Sequence, residues 1–354
     1  MKTKLLIFSF VIIALGSLSA RVRTVCNAAI TGGAPNAGLR YTNLQTALDS
    51  AHVGDTIYVV GSQTDYGSIT IPTRVTLIGA GYNVTGTQYN YNSIVDQINI
   101  DSTSNTGDSL VSGTRIMGMV VNNYLDNSAT AGINNIDIER CYVGYYLYIN
   151  GNNWTIRNNI IANLNCNGNN VTWNNIYIQN NFVSYITNSS STSVIIDHNN
   201  FVTNGNSCFY YVTNAIISNN IFWACRPDNG SNVSGNNFSN NVTTNTSLYN
   251  LPPANNVGSG DTATTTSFFN DPTISVTTFN QNTIWNYNWK TFKAASKINN
   301  RATDGTNPGV YGGSYPMPNL SGAGRIPQMV NMNVSGVAPA GGNLNVNFKA
   351  KVQN

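Results

Sequence analysis

Short runs of alternating apolar and polar residues fill the middle of the chain, from about residue 94 to 245. Asn, Gly and Ser punctuate these runs, which is the pattern of short β-strands separated by turns. One phrase returns several times: an isoleucine-rich strand that carries two adjacent asparagines. It reads TIRNNIIANL at 155–164, and its echoes lie at 175–186, 194–204, 214–224 and, more weakly, 232–242. Asparagine is depleted in strands because its amide competes for backbone hydrogen bonds, so the repeated pair needs a structural reason.

The first asparagine of each pair gives the period of this repeat. We take Asn158, Asn180, Asn199, Asn219 and Asn236, which are separated by 22, 19, 20 and 17 residues. A period near 20 is too short for the hairpins of a β-sandwich, but it fits one coil of a parallel β-solenoid with about three strands. Equivalent residues of stacked coils lie about 4.8 Å apart, so asparagines at the bend between strands can hydrogen-bond in a continuous amide ladder.

The segments that flank the repeat have patterns of their own. Apolar residues at helical spacing predict a short helix over 43–51, with Thr42 or Asn43 placed to cap its start. Apolar, β-branched-rich stretches then predict strands at 56–60, 68–71 and 75–81. The repeat ends near residue 250, and alternation returns close to the C-terminus. We therefore interpret 251–354 as a closing segment and a β-rich tail that packs along the solenoid or joins a partner.

Several phrases resemble the secreted right-handed parallel β-helix proteins of the pectate-lyase-like superfold. They are NLQTALDSAHVGDTIYVV, VTLIGAG, IRNNII and IIDHNN, and the resemblance covers about residues 40–245. It implies an all-β fold, a single-stranded right-handed parallel β-helix of about 20 residues per coil, in which helix 43–51 caps the N-terminal end of the core. GVYGG at 309–313 resembles the closing phrase of bacterial surface β-helix proteins. The superfold hosts lyases, hydrolases, adhesins and structural proteins, so the resemblance implies a fold rather than an activity.

The first 20 residues have the pattern of a secretory signal peptide: a basic start, an apolar run from Leu5 to Leu15 and small residues at the end. That run is shorter than the roughly 20 residues that a membrane span needs. We expect bacterial export, a secreted or cell-surface location, and no membrane span after cleavage. The predicted organisation is a signal peptide at 1–20, the β-helix at 21–250 and the C-terminal segment at 251–354.

Composition narrows the classes of partner. Only 9% of residues are charged, against about 25% in an average soluble protein. The chain has 60 asparagines and 31 glycines, so its surface polarity rests on amides and hydroxyls. The net charge of +3 comes without a basic row along the repeats, because no lysine lies between residues 81 and 289. We therefore expect no nucleic-acid partner.

Five cysteines lie outside the predicted signal peptide: Cys26, Cys141, Cys166, Cys208 and Cys225. Their number is odd, and none has the CxxC spacing of a metal site. They lie among apolar residues, which favours buried small side chains over disulfides.

Aligning the repeats on the apolar residue before the bend predicts which side chains point inward. The inward set is Ile138, Ile156, Ile178, Ile196 and Ile217. Because side chains alternate along a strand, the following residues point outward: Glu139, Arg157, Gln179, Asp197 and Ser218. The asparagine pairs alone would place Asp197 inward, and we favour Ile196 because a buried unpaired carboxylate is costly. Glu139 and Arg157 then lie on adjacent coils within ion-pair reach.

A second outward row lies two residues earlier in the strand. It consists of Asp137, Thr155, Tyr177, Ile195 and Ile216, and it becomes apolar toward the later coils. Exposed apolar columns are usually covered by something. We expect the C-terminal segment or a partner to lie there.

The candidate catalytic residues are Glu139, Arg140, Arg157, Asp197 and His198. IDHNN at 196–200 resembles a phrase in pectate-lyase coils, which gives the outward row a carbohydrate-site interpretation. The simpler interpretation, which we favour, is that charged and amide side chains line an exposed sheet face, with each pair worth a few tenths of a kcal/mol. We expect His198 to replace an asparagine in the amide ladder rather than to act as a base.

Two functions follow from these patterns. The leading hypothesis is a non-catalytic structural or glycan-binding protein whose partner is a polysaccharide or cell-surface component. The alternative is a divergent polysaccharide lyase or glycoside hydrolase that acts on acidic polysaccharide. Against catalysis, the chain has one Glu and no Asp-Asp pair, whereas glycosidases need paired acids.

No cofactor or resident metal is expected. Ca²⁺ enters only under the lyase alternative, if Asp96, Asp101, Asp108, Asp126 and Asp137 converge in space. The sequence leaves the oligomeric state open.

Overall fold

The computed structural model describes most of the repeat region and part of the C-terminal segment. The described residues are 20–27, 40–82, 91–100, 110–126, 132–166, 174–189, 193–203, 207–223, 225, 227, 233–243, 256, 269–271, 274, 284, 289–294, 296 and 298–317, with the backbone at 328–334 and 346–351. The predicted signal peptide, apart from Ala20, lies outside them. None of the helices within these ranges is both long enough and apolar enough to cross a membrane.

The chain forms an all-β parallel solenoid of about 7 turns, with stacked coils about 22 residues apart and helix in only 3% of residues. This confirms the fold class that the repeat predicts. The right-handed sense stays a prediction.

Two long parallel sheets run along the solenoid. Sheet A contains β1 (Val22–Val25), β2 (Arg40–Tyr41), β3 (Thr56–Val59), β5 (Thr76–Ile78), β8 (Arg115–Met117), β11 (Asp137–Glu139), β13 (Trp154–Arg157), β15 (Ile176–Gln179), β17 (Val194–Asp197), β20 (Ile216–Ser218) and β22 (Asn237–Ser239). Sheet B contains β4 (Ile69–Ile71), β6 (Ser93–Val95), β7 (Ile98–Ile100), β9 (Met119–Val121), β10 (Tyr124–Asp126), β12 (Tyr142–Tyr148), β14 (Ile160–Asn165), β16 (Phe182–Thr187), β18 (Asn200–Val202), β19 (Phe209–Tyr210), β21 (Ile221–Trp223) and β23 (Val242–Thr243).

The core lies between these sheets and is built from columns of identical side chains. Ile138, Ile156, Ile178, Ile196 and Ile217 are all fully buried and stack in register. The choice of Ile196 over Asp197 for the inward position is therefore confirmed. Trp154 is also fully buried, as its parity predicts.

The amide ladder exists, but the second asparagine of each pair forms it. Asn159, Asn181, Asn199, Asn220 and Asn241 are all fully buried. In each step, a side-chain oxygen accepts hydrogen bonds from the backbone N–H and the amide of the preceding coil, as Asn181 does from Asn159 at 2.9 and 3.0 Å. The amide of Asn181 also donates to the carbonyl of Ile156, so every coil is tied to the one before it. We call this set the ladder column.

The first asparagine of each pair makes the bend itself. Arg140, Asn158, Asn180, His198, Asn219 and Asn240 all have φ between 53° and 58°, the left-handed region that Asn tolerates better than most residues. We call these residues the bend column. Our alignment on first asparagines was therefore wrong at two positions. Asn199 belongs to the ladder column, because His198 fills the bend of that coil, and Asn240 rather than Asn236 makes the last described bend.

The helix predicted over 43–51 is α1 (Leu44–Asp49). Asn43 caps it by accepting a hydrogen bond from the N–H of Thr46 at 2.9 Å, which selects between the two predicted caps. The buried face of the helix, which includes Leu44 and Leu48, joins the core beside the first strands. A closing role for this helix stays a prediction.

None of the five cysteines forms a disulfide, and all but Cys26 are buried. Burial raises the pKa of the Cys141 and Cys166 thiols to about 12. Both thiols are therefore packed as neutral side chains, as their apolar surroundings predict.

The described part of the C-terminal segment does not cover the second outward row. The residues of this row stack in register, as predicted, yet Tyr177 and Ile216 remain 38% and 45% exposed. The segment packs instead on the outer side of sheet B. There Trp289 contacts Phe182 edge-on with ring centres 5.5 Å apart and Trp223 at 5.9 Å.

Residues 301–317 then run along the bend column, and we call this segment the strap. The contacts follow one order: Asn240 with Arg301, Asn219 with Thr303, His198 with Thr306, and Asn180 with Val310 and Gly312. Beyond the strap, β24 (Gln328–Val334) and β25 (Val346–Lys351) pair antiparallel, in agreement with the predicted β-rich tail. The structure describes only the backbone of this hairpin.

Candidate functional site: an arginine-lined cleft

A cleft of about 280 Å³ opens on the outer face of sheet A where the strap ends. Its lining consists of Arg115, Met117, Glu139, Arg140, Arg157, Asn158 and Tyr315. Three of the five candidate residues, Glu139, Arg140 and Arg157, meet here.

The strand register of sheet A places the charged side chains. Glu139 of β11 pairs in register with Arg157 of β13, so their outward side chains lie one coil apart. The Arg157 guanidinium hydrogen-bonds the Glu139 carboxylate. Arg115 on the preceding coil lies 3.9 Å from the same Glu139 oxygen and 3.2 Å from Asp137. The predicted Glu139–Arg157 ion pair is confirmed, and it is part of a larger charged group.

Tyr315 of the strap covers one side of the cleft. The Arg157 guanidinium carbon lies 4.8 Å from the centre of the Tyr315 ring, a cation–π geometry. Tyr315 is still 43% exposed, so the strap supplies a ring that borders the cleft without closing it.

Asn158 forms the floor of the cleft beside Arg140. Both are bend residues with positive φ, and both are almost fully buried. The side-chain oxygen of Asn158 accepts no hydrogen bond from any described residue. One coil further on, the amide of the equivalent Asn180 donates to two strap carbonyls. The Asn158 oxygen is also shielded from solvent.

The charge of the lining is positive. The three arginines of the lining, taken with Glu139 and with Asp137, which pairs with Arg115 at 3.2 Å, give a formal net charge of +1. Glu139 and the adjacent Asp137 hold Arg115 and Arg157 in place. The arrangement suits an anion with two oxygens, which Arg binds bidentately, next to an aromatic ring.

Asp197 and His198 lie two coils away from Arg157, outside the cleft, where His198 contacts the strap. His198 is 2% exposed, and its Nδ1 lies 2.8 Å from Asp197 while its Nε2 lies 3.3 Å from the Thr306 hydroxyl. Asp304 of the strap is 3.8 Å from Nε2. Burial alone would raise the pKa of Asp304, but hydrogen bonds from Thr306 and the nearby imidazole lower it below its usual value. These residues fasten the strap. His198 takes the place of an asparagine in the column of Asn180 and Asn219, as predicted, but that column makes the bends, and the amide ladder of this coil is formed by Asn199.

The carboxylates that could have formed a Ca²⁺ site are dispersed or lie outside the described residues. Asp96 accepts hydrogen bonds from Ser68 and Asn123, and Asp101 and Asp108 fall outside. Within the described ranges, no group of three or more His, Cys, Asp and Glu side chains is placed to hold a metal ion.

Sequence reasoning missed two members of the cleft. Arg115 lies on the coil before Glu139, in the strand RIM at 115–117. The alternation of this strand matches that of the later coils, but no asparagine pair follows it to mark it as part of the repeat. Tyr315 comes from the strap, and no local pattern places it beside Arg157.

No family model, characterised protein or solved structure matches the chain. The resemblance to pectate-lyase-like proteins therefore rests on the quoted phrases.

Proposed function

We propose that this is a secreted or cell-surface β-helix protein, with a non-catalytic structural role, that binds acidic glycans in the arginine-lined cleft. The observation that carries the proposal is the meeting of Arg115 and Arg157 at Glu139, in a lining that also includes Arg140, beside the exposed ring of Tyr315. The predicted signal peptide and the phrases that resemble the pectate-lyase-like superfold support the extracellular setting.

The chemistry of the cleft matches a sugar that carries a carboxylate or sulfate. Guanidinium groups recognise such anions with paired hydrogen bonds. The Tyr315 ring offers an apolar face to the C–H side of a sugar. Because sheet A repeats the coil spacing, a chain of sugars can extend from the cleft along its outer face.

The alternative, a lyase or hydrolase that acts on acidic polysaccharide, would use the same cleft. A lyase must neutralise the uronate carboxylate, and the arginines are suited to that. Glu139 is the only glutamate of the chain, and its Oε1 already interacts with Arg157 and Arg115. Binding therefore ranks ahead of catalysis.

One panel of glycans separates these functions. Polygalacturonate, alginate, chondroitin sulfate and neutral glucans are presented on an array, and each solution is also monitored for the absorbance of unsaturated products with and without Ca²⁺. We expect acidic glycans to bind without turnover.

The same panel includes two variants. Arg157→Gln should weaken binding by roughly tenfold or more, since it removes a charge-assisted hydrogen-bond donor. Arg40→Gln, an exposed arginine on β2, should bind as the unaltered protein does. Turnover would support the enzyme alternative, and an absence of binding to every acidic glycan would refute the proposal.

A further inference from the structure

Six tyrosines gather on the outer face of sheet B, away from the cleft. They are Tyr124, Tyr145, Tyr146, Tyr148, Tyr185 and Tyr210, and we call them the tyrosine face. None of the six belongs to the buried core.

The rings are held by one another. Tyr124 and Tyr146 are paired in register and stack nearly parallel, with an interplanar angle of 7° and ring centres 6.3 Å apart. Tyr148 stacks on Tyr146 at 5.4 Å. The hydroxyl groups of Tyr146 and Tyr185 lie 3.2 Å apart, which links the first group of rings to Tyr185 and Tyr210. The face is therefore ordered before any ligand arrives.

A β-bulge adds one of these rings. The register between β12 and β14 shifts between Val143 and Tyr146, so Gly144 and Tyr145 oppose one residue of the next coil. Tyr145 is 44% exposed and meets Tyr146 edge-on at 4.6 Å. A side chain at Gly144 would lie 2.4 Å from the carbonyl oxygen of Asn122, so only glycine fits there. The bulge interrupts the ladder and places an extra aromatic ring on the surface.

The C-terminal segment covers only part of the outer face of sheet B, and the covered and uncovered parts carry different residue types. The first outward column consists of Ile160, Phe182, Asn200, Ile221 and Val242, and the C-terminal segment packs on its apolar members. Further along the same strands, the outward positions carry tyrosines interleaved with Asn163, Asn165 and Thr187. The covered face carries mainly apolar side chains, including the rings of Phe182 and Trp223, whereas the tyrosine face mixes rings with amide and hydroxyl groups.

We infer that the tyrosine face is a second glycan-binding site, which takes an extended neutral polysaccharide by stacking its sugar rings on the tyrosines. Pyranose rings present apolar C–H faces to aromatic rings and hydroxyl groups to amides, and this face supplies both. Successive coils repeat at about 4.8 Å, a spacing comparable to that of sugar units in an extended chain. Among the outward positions of these columns between β10 and β19 whose side chains the structure describes, none is charged. Binding here is therefore independent of the charges in the arginine-lined cleft.

The test uses the full chain with two neutral probes. Retardation in gels that contain hydroxyethyl cellulose and calorimetric titration with cellohexaose measure binding. Tyr145→Ala should bind about tenfold more weakly, as expected when one aromatic contact is lost. Tyr145→Phe keeps the ring and should bind nearly as tightly as the unaltered protein. Tyr177→Ala, a comparably exposed tyrosine on sheet A, is the matched control and should not change binding.

Two further readouts separate this site from the cleft. Binding of cellohexaose should persist in 0.5 M salt, where the Debye length falls to about 3–8 Å, and in Arg157→Gln. If neither neutral probe binds the unaltered protein, or if Tyr145→Ala binds as tightly as it does, the inference is wrong whatever the acidic glycans do. Loss of cellohexaose binding in Arg157→Gln would place the neutral ligand in the cleft and would also overturn it.

Discussion

At the scale of single residues, the paired asparagines divide two tasks that no other residue combines as well. The first member turns the chain through a left-handed conformation and presents its amide to the strap, as Asn180 does. The second member is buried, and its amide satisfies the backbone of the preceding coil, as Asn181 does for Ile156. The pair that looks unfavourable in an isolated strand is therefore the element that joins one coil to the next.

The ladder column should be far more sensitive to substitution than the exposed asparagines. Asn181→Ala removes the partner of the buried Asn159 N–H and of the buried Ile156 carbonyl, each at about 1–3 kcal/mol, so we expect a loss of about 3 kcal/mol in the free energy of unfolding. Asn175 makes a similar side-chain bond to Asn153 at 2.9 Å but is exposed. Asn175 itself has a φ of 58°, so the control is Asn175→Gly, which removes the side-chain bond without backbone strain and should cost less than about 1 kcal/mol when both variants are unfolded in urea. Equal losses in the two variants would contradict the division of tasks.

Asp55 makes stability depend on pH at the N-terminal end of the solenoid. It is fully buried and pairs with Arg23 at 2.8 Å. Burial alone would raise the pKa of Asp55, but the N–H groups of His52 and Arg21 and the Arg23 guanidinium outweigh it and hold the pKa below 3.8. Because the folded pKa is depressed, the stabilisation is complete well above pH 3.8 and is lost as the pH falls through the folded pKa.

The corresponding variant is Asp55→Asn. At pH 7 it should be less stable than the unaltered protein by about 3–5 kcal/mol, the usual cost of removing one partner of a buried pair. That difference should shrink as the pH falls from 5 to below 3.8, because Asp55 itself becomes protonated. A difference in the free energy of unfolding that stays constant over this range would show that the charge of Asp55 is not responsible.

At the scale of elements, the strap joins regions that are distant in sequence. It touches the bend column at close range, which only glycine permits. A Cβ on Gly312 would lie 1.7 Å from the Asn307 carbonyl oxygen and 2.8 Å from the His198 ring. The phrase GVYGG therefore describes a segment that lies flat against the bends, and the strap also delivers Tyr315 to the cleft.

Gly312→Ala should detach the strap. We expect faster proteolysis within residues 301–317 and weaker binding of acidic glycans, because Tyr315 loses its position. Gly305 also has a positive φ, of 79°, but nothing lies within 4 Å of its missing Cβ. Gly305→Ala should therefore cost only about 1 kcal/mol of backbone strain and leave the cleavage pattern unchanged. Identical proteolysis of the two variants would refute the docking of the strap.

At the scale of the whole molecule, the sequence predicted what repeats and missed what does not. The inward isoleucines, the Glu139–Arg157 pair and the parallel solenoid follow from a period that stacking imposes on every coil. The strap and the covered face of sheet B depend on contacts between Trp289 or Thr306 and residues far away in the sequence, which leave no local pattern. The contact of His198 with the strap was missed for the same reason, because its partner Thr306 is 108 residues away in the sequence.

The central claim is that the arginine-lined cleft binds an anionic sugar, and calorimetric titration with an oligogalacturonate at two salt concentrations tests it most directly. We predict binding that weakens between 0.05 and 0.5 M salt, because exposed charges are screened, and that falls by roughly tenfold or more in Arg157→Gln while Arg40→Gln is unaffected. No binding by the unaltered protein, or an affinity that Arg157→Gln leaves unchanged, would contradict the claim.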